Sequence, residues 1–351
     1  MHDGNEKELL AKMLKGQRLV IPDMRPIFAH WPSGQNEHYE TMKEVVDKQL
    51  DAQSMEEEAR RAFTDMNPAL LAATWWPTAS KDQYRVLIDM IIWFGYWDDL
   101  VEKLAPDSSA AEALRSATKI VVRQSLGLTP HAQEDTITSN PLILDFKRIA
   151  RGVRKDYDEE QRRTLLGHFD RYIDATRLEA EAELSDKLPT LKRYWEVRIL
   201  TSGMSTLLGF NEFAVQAKVP SRLSSSAAYE TLLVTTIVIN SIVNDLISFK
   251  KEMKAGSVLS SVAILYHQVE NLDAAVQMSL AHLRILVEEF DRTANTILSK
   301  FLLEPNEVDA VSRVIDSLRM INTGNLEWSL QAKRYGVCQF ITDAGQIELI
   351  L

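Results

Sequence analysis

The sequence predicts an all-α protein, and three observations lead there. Glycine (13) and proline (11), the residues that interrupt helices, are scarce in a chain of 351 residues. The helix formers Ala, Leu, Glu, Lys and Arg are common along its whole length. Apolar residues recur at spacings of three and four, and the alternating Val/Ile/Thr runs of a sheet are few. Hydrophobic residues make up 45% of the chain, ample for a large core. No repeat, low-complexity segment or Ser/Gly-rich linker divides the chain, so residues 1–351 read as one helical bundle domain.

The elements follow in order. Residues 1–35 read as an irregular N-terminal segment, within which Pro22, Pro26 and Pro32 break any helix over Leu19–Ser33. Asn36–Arg61 is a charge-rich, solvated outer helix. Asn67-Pro68 opens a short helix that ends near Trp76-Pro77. Asp82–Leu100 is the first strongly apolar helix, with Val86, Leu87, Met90, Ile91, Phe94 and Trp97 at helical spacing. Helices are expected at Ala110–Leu126, Leu142–Ala150 and Glu159–Leu184, with a polar connection at Gly127–Pro141. Pro189 opens Thr190–Phe210, which Gly203 weakens. Tyr229–Lys254 is a long apolar helix stopped by Gly256. Leu259–Gln268, Asp273–Leu298 and Asn306–Ser329 close the bundle, and Gly336–Leu351 is a partly apolar tail.

The net charge is −10 and the pI about 5.3, with no basic face, which argues against nucleic acid as a partner. The single cysteine, Cys338, excludes an internal disulfide and suits a reducing compartment. Met1–Leu10 is charged, without an apolar signal segment. The apolar run Thr231–Val243 is too short to span a membrane and is interrupted by Asn240 and Ser241. A cytoplasmic protein with no membrane partner is the expectation. No Ser-His-Asp or Cys-His arrangement suggests a nucleophile.

Two helix ends carry the chemistry. The apolar run Thr231–Val243 leads into Asn244, Ser248 and Glu252. On a helix each step of four advances about 400°, so these side chains form one stripe. An amide oxygen, a hydroxyl and a carboxylate are hard oxygen donors of the kind a small divalent cation prefers. Lys251 lies beside them and could hold an anion. The apolar helix before Asp98 likewise ends in Asp98-Asp99-Leu100-Val101-Glu102, where Asp98 and Glu102 share a face. Each pattern alone could be a solvated polar stripe. A buried helix ending in hard donors, twice over, favours two clusters that grip a metal–diphosphate complex. Arg198, in an apolar run, needs an anionic partner, from a neighbouring helix or from a ligand. Glu179, Glu181 and Glu183 are spaced by two, so they read as a solvated acidic end rather than a site. Trp93, Phe94 and Trp97 are either core or rings that face a cavity, where an aromatic face stabilises a cation.

These residues resemble a known family. Asp98–Glu102 is similar to the D-D-x-x-[DE] motif of class I terpene synthases. Asn244–Glu252 fits every position of their [ND]-D-x-x-[ST]-x-x-[KR]-[DE] motif. Arg198, 46 residues before Asn244, stands where the family places a diphosphate-sensing arginine, and Arg334-Tyr335 resembles its C-terminal Arg-Tyr pair. The features span Asp98 to Tyr335 in the family's order, and the chain looks most like fungal or other microbial sesquiterpene synthases.

The resemblance implies an all-α bundle around a central apolar cavity and a lyase that cyclises a prenyl diphosphate, with farnesyl diphosphate the expected substrate. It implies Mg²⁺, three ions in all, held by Asp98, Glu102, Asn244, Ser248 and Glu252. Arg198, Lys251, Arg334 and Tyr335 would bind the diphosphate, and Asp99 would orient Arg198. A helix break at Ser202 and Gly203 would turn a backbone carbonyl toward the substrate. The family often forms homodimers. Monoterpene or diterpene cyclisation and prenyl chain elongation remain alternatives, although elongation would call for a second aspartate-rich motif. A non-catalytic helical scaffold is the alternative outside enzymes.

Overall fold

A computed structural model describes residues 5–52, 56–129, 138–301 and 303–351. The helices are α1 (Glu6–Leu14), α2 (Tyr39–Ala52), α3 (Glu57–Met66), α4 (Pro68–Trp75), α5 (Lys81–Leu104), α6 (Ser108–Ser125), α7 (Pro141–Asp156) and α8 (Glu159–Leu184). They continue with α9 (Leu191–Thr201), α10 (Met204–Leu208), α11 (Asn211–Ala214), α12 (Ser221–Ser224), α13 (Ala227–Lys254), α14 (Ser261–Val269), α15 (Leu272–Lys300) and α16 (Pro305–Gln331). The protein is all-α, as expected, apart from one small sheet. In it β1 (Arg18–Ile21) pairs antiparallel with β2 (Ile347–Ile350), with Arg18 opposite Ile350 and Ile21 opposite Ile347.

That sheet corrects the reading of the N-terminal segment. Residues 1–35 are not irregular throughout: α1 forms at Glu6–Leu14, ahead of the prolines, and residues 18–28 are a strand followed by a 3₁₀ turn at Arg25–Phe28, because Leu19 and Ile21 can alternate into the core before the prolines intervene. The C-terminal tail docks back as β1's partner and buries Ile347 and Leu349. The expected helix Asn36–Arg61 is divided between α2 and α3, and residues 130–137 of the expected polar connection lie outside the described residues.

Local chemistry fixes the helix ends. Ser80 and Gln83 form a reciprocal capping box at the start of α5, and Asp158 and Gln161 do the same for α8. Asn67, in the left-handed region at φ 51°, ends α3 and caps α4, whose first residue is Pro68. Gly203 has φ 72° and separates α9 from α10, a conformation that costs glycine nothing.

The axis of the bundle is α13, packed against α9, α14, α15 and α16. By length and composition Ala227–Lys254 could cross a membrane, but 83% of its most apolar stretch is buried among those helices. An Asn240–Asn322 side-chain hydrogen bond of 2.6 Å joins α13 to α16 within the core. The backbones of α16 and α4 approach so closely that a Cβ on Gly324 would collide with Thr74 O. This packing places the C-terminal ends of α5, α8 and α13 around one cavity.

Candidate active site

A cavity of about 680 Å³ is lined by Asp98, Asp99 and Glu102 from α5, and by Asn244, Ser248, Lys251 and Glu252 from α13. Arg198, Thr201 and Ser202 add the end of α9, and Arg334 and Tyr335 line it from beyond α16. The residues singled out at the two helix ends therefore share one space. Its volume lies within the range of roughly 300–1,000 Å³ typical of ligand pockets.

On the α13 side, Ser248 Oγ donates to Glu252 Oε1 at 2.6 Å and to Asn244 O at 2.7 Å. Asn244 Oδ1 accepts from Arg198 Nη2 at 2.8 Å, and Asn244 Nδ2 donates to Tyr335 OH at 3.0 Å. Asp245, one residue on, turns away from the cavity. It accepts from Tyr194 OH at 2.8 and 2.7 Å, and from the Ser261 backbone N–H and hydroxyl at 2.8 and 2.6 Å. Arg198 Nη2 lies 3.7 Å from Asp245 Oδ1. Burial works against the Arg198 charge, but Tyr194, Asp245, Glu252 and Glu179 around it raise its pKa above the ordinary value.

That corrects the role expected of Asp99. Asp99 is one position past Asp98, about 100° round the helix, and its surrounding charges are Arg334, Lys103 and Lys251. The acid that holds Arg198 is Asp245.

On the α5 side, Tyr172 OH donates a hydrogen bond to Asp98 Oδ1. Burial pushes Asp98 up to about 6, the Tyr172 hydroxyl pulls it down, and Asp99 adds to the rise. Glu102, which still reaches solvent, is pushed up to about 7 by desolvation and by Asp98 and Asp99. Glu179 stands two turns beyond Tyr172 on the same face of α8 and is pushed up to about 8 by burial and by Asp98. The expectation of a solvated acidic end fails for Glu179, which belongs to the cavity wall. Spacing within the acidic triplet hid it. The face shared by Phe169, Tyr172, Thr176 and Glu179 was the signal that could have found it.

The expectation of aromatic rings on the cavity wall is corrected: none of Trp93, Phe94 and Trp97 lines it. Trp93 donates to Leu142 O at 2.8 Å and packs on Phe146 and Phe169, and Trp97 donates to Thr118 Oγ1 at 2.8 Å. Both are core residues facing α6 and α7, where each indole N–H finds its partner. Phe94, one turn before Asp98, is half-buried and is not among the residues that line the cavity. Its ring lies 4.8 Å from that of Tyr172 and directly over Gly203. The helix break falls where it was expected, with Ser202 on the cavity wall and Gly203 behind it.

The donor set fits a hard divalent cation. Its members are carboxylates, one amide oxygen and one hydroxyl, the oxygen ligands that Mg²⁺ takes. Among the described residues no three His, Cys, Asp or Glu side chains form a compact metal cluster. A cation here would therefore share its coordination between a few protein oxygens and those of a bound anion. Arg198 Nε, buried without a partner, is a donor left over for such an anion.

The chain is similar to known proteins over most of its length. The family model described as "Terpene synthase family 2, C-terminal metal binding" matches residues 89–289. The chain is 26% identical to the sesquiterpene cyclase hepA of Aspergillus oryzae, over 99% of this chain and 97% of that protein. It is 25% identical to the pristinol synthase of Streptomyces pristinaespiralis, over 80% and 75%. In fold it is similar to a cucumene synthase variant, with a TM-score of 0.70 and 18% identity over 87% of this chain and 98% of that one. The matched segment holds the acidic end of α5, the arginine of α9 and the oxygen stripe of α13, and the chain belongs to the terpene synthase family, enzymes of the lyase class.

Proposed function

We propose that the protein is a Mg²⁺-dependent sesquiterpene cyclase. It would draw the diphosphate from farnesyl diphosphate and guide the carbocation to a cyclic hydrocarbon or alcohol. The observation that carries this is the division of charge within one cavity. Acid groups of α5, α8 and α13 line it together with Arg198, Lys251 and Arg334. Such a wall suits neither a bare anion nor a bare cation. It suits a polyanion that arrives with metal ions. The fifteen-carbon substrate rests on the relatives named for sesquiterpene chemistry.

Asp98 and Glu102 would hold Mg²⁺ on one side, and Asn244, Ser248 and Glu252 on the other, with three ions expected. Bound Mg²⁺ supplies the charge that lets a diphosphate leave. Arg198, Lys251 and Arg334 would hold the diphosphate oxygens by charge-assisted hydrogen bonds, with the Tyr335 hydroxyl beside them. Tyr172 fixes the rotamer of Asp98. The end of α9 leaves carbonyls without helical partners at Thr201 and Ser202, and their dipoles would favour positive charge in the substrate. Arg334 and Tyr335, on the cavity wall, would help keep water out. In this reading the enzyme is a single catalytic domain in the cytoplasm, and a homodimer is the assembly to look for by sedimentation.

The test is incubation of the purified protein with geranyl, farnesyl and geranylgeranyl diphosphates, with Mg²⁺ or with EDTA, followed by mass analysis of the organic extract. A cyclic C15 product from farnesyl diphosphate, lost with EDTA, is expected. Turnover of a different chain length would move the substrate class, and no turnover of any would refute the reading. Asn244→Ala and Glu252→Ala should each abolish the product while the helical circular dichroism stays unchanged.

A further inference from the structure

Asn244 heads the oxygen stripe of α13, yet its side-chain oxygen already serves a cation of the protein's own. Oδ1 accepts from Arg198 Nη2 at 2.8 Å. The amide orientation is fixed from the other end, because Nδ2 donates to Tyr335 OH at 3.0 Å. Arg198 is held in reach by Asp245, 3.7 Å away, and Asp245 is itself anchored by Tyr194 and Ser261. One other donor of the guanidinium, the buried Nε, has no partner. An arginine with one donor on a neutral amide and another on nothing is incompletely satisfied. A diphosphate would offer it charged, bidentate acceptors, which bind a guanidinium about twice as strongly as neutral ones.

A guanidinium and a divalent cation brought to one amide oxygen repel each other, so the arginine there weakens the oxygen as a metal ligand. We propose that Arg198 occupies the donor oxygen of Asn244 until a diphosphate draws it away, so that α13 takes its cation only together with the diphosphate. This rests on the reading of Asn244, Ser248 and Glu252 as metal ligands. It adds an order of events: the arginine is first a stand-in for the metal and then a ligand of the leaving group. The coupling is reciprocal, since whatever factor the diphosphate adds to metal affinity, the metal adds to diphosphate affinity. A free divalent cation then finds α13 closed, and the oxygen is released when there is a leaving group to neutralise.

The test is Mn²⁺ binding to the purified protein, followed by electron paramagnetic resonance, with and without inorganic pyrophosphate. The α13 contribution is the part of the uptake that Glu252→Gln removes. In the wild type that part should be weak with Mn²⁺ alone and strong with pyrophosphate. Arg198→Gln should tighten it about tenfold with Mn²⁺ alone, the scale of one hydrogen bond to a charged group, and should shrink the gain from pyrophosphate. Lys251→Gln removes a cation from the same cavity without freeing a ligand oxygen, and should not reproduce the effect. Arg198→Lys keeps a charge beside Asp245 but is too short to hold Asn244 as well, and it gives the same reading should Arg198→Gln not fold. Mn²⁺ affinity unchanged or weakened in both Arg198 variants, or an equal gain in Lys251→Gln, would overturn the exchange. In that case pyrophosphate-dependent uptake that Glu252→Gln abolishes would leave the metal reading standing. A wild type that takes up no Mn²⁺ even with pyrophosphate would remove the metal reading itself.

Discussion

The Tyr172 hydroxyl donates to Asp98 Oδ1, across from α8 to α5, and the rings of Phe94 and Trp97 pack against Tyr172 at 4.8 and 5.8 Å. A hydrogen bond to the charged form lowers a carboxyl pKa, so Tyr172 opposes the burial that pushes Asp98 up to about 6. It also leaves one carboxylate oxygen free toward the cavity. Tyr172→Phe keeps the ring packing and removes only that bond. Asp98 should then titrate higher, and the acidic limb of the pH–rate profile should move to higher pH. Turnover near pH 7 should fall by about tenfold, the worth of one charge-assisted hydrogen bond. An unmoved acidic limb would show that Tyr172 merely fills space.

The two oxygen-rich helix ends were legible because their spacing sits on single helices, where a step of four fixes the face. Asn244, Ser248 and Glu252 needed no tertiary knowledge to be placed together, and neither did Asp98 and Glu102. What lay beyond the sequence was which helix faces which. Tyr172 and Glu179 belong to the site only because α8 packs beside α5. Trp93 and Trp97 leave it because their face of α5 meets α6 and α7. The partner of Arg198 was misjudged for the same reason, since Asp245 and Asp99 are both adjacent to motif residues and only the packing of α9 on α13 selects Asp245. The strand at Arg18–Ile21 was invisible locally because its partner, Ile347–Ile350, lies at the other end of the chain.

Asp245 makes a stability prediction. Both its oxygens accept, Oδ1 from Tyr194 and Oδ2 from Tyr194 and Ser261, so an amide in its place must turn an N–H toward one of those donors. Asp245→Asn also leaves Arg198 short of its nearest counter-charge. Breaking a buried charge pair from one side costs about 3 kcal/mol or more. The melting temperature should therefore fall by several degrees, read by differential scanning calorimetry without metal. A melting temperature within a degree of wild type would deny Asp245 its role as an anchor.

Glu179 predicts a pH dependence. Its folded pKa is pushed up to about 8, by burial and then by Asp98, from an ordinary 4.5. Below pH 4.5 both folded and unfolded states carry the proton, and Glu179 has no effect on stability. Between 4.5 and 8 the unfolded chain gives up the proton and the fold retains it, so the fold loses stability as pH rises. Glu179→Gln removes that cost. In EDTA it should match wild type near pH 4.5 and be more stable at pH 8, by on the order of 1–2 kcal/mol once screening by cavity water is counted. Equal stability of the two proteins across the range, read by thermal melts, would mean that Glu179 is no more desolvated than an ordinary surface carboxylate.

Gly203 and Gly324 separate specificity from stability. A Cβ on Gly324 would run into Thr74 O, and backbone cannot give way, so Gly324→Ala should push α16 off α4 and lower the melting temperature sharply. A Cβ on Gly203 would meet Phe94 Cζ at 2.5 Å and Cε1 at 2.6 Å, which is the far end of a side chain that can rotate. The left-handed φ of 72° adds about 1–2 kcal/mol for any residue with a Cβ. Gly203→Ala should therefore fold. Its Phe94 ring must swing, however, and that ring rests on Tyr172, which holds Asp98. The expected result is a changed product mixture from farnesyl diphosphate together with slower turnover, read by gas chromatography and mass spectrometry. A wild-type mixture at a wild-type rate would disconnect both the helix break and Phe94 from the chemistry.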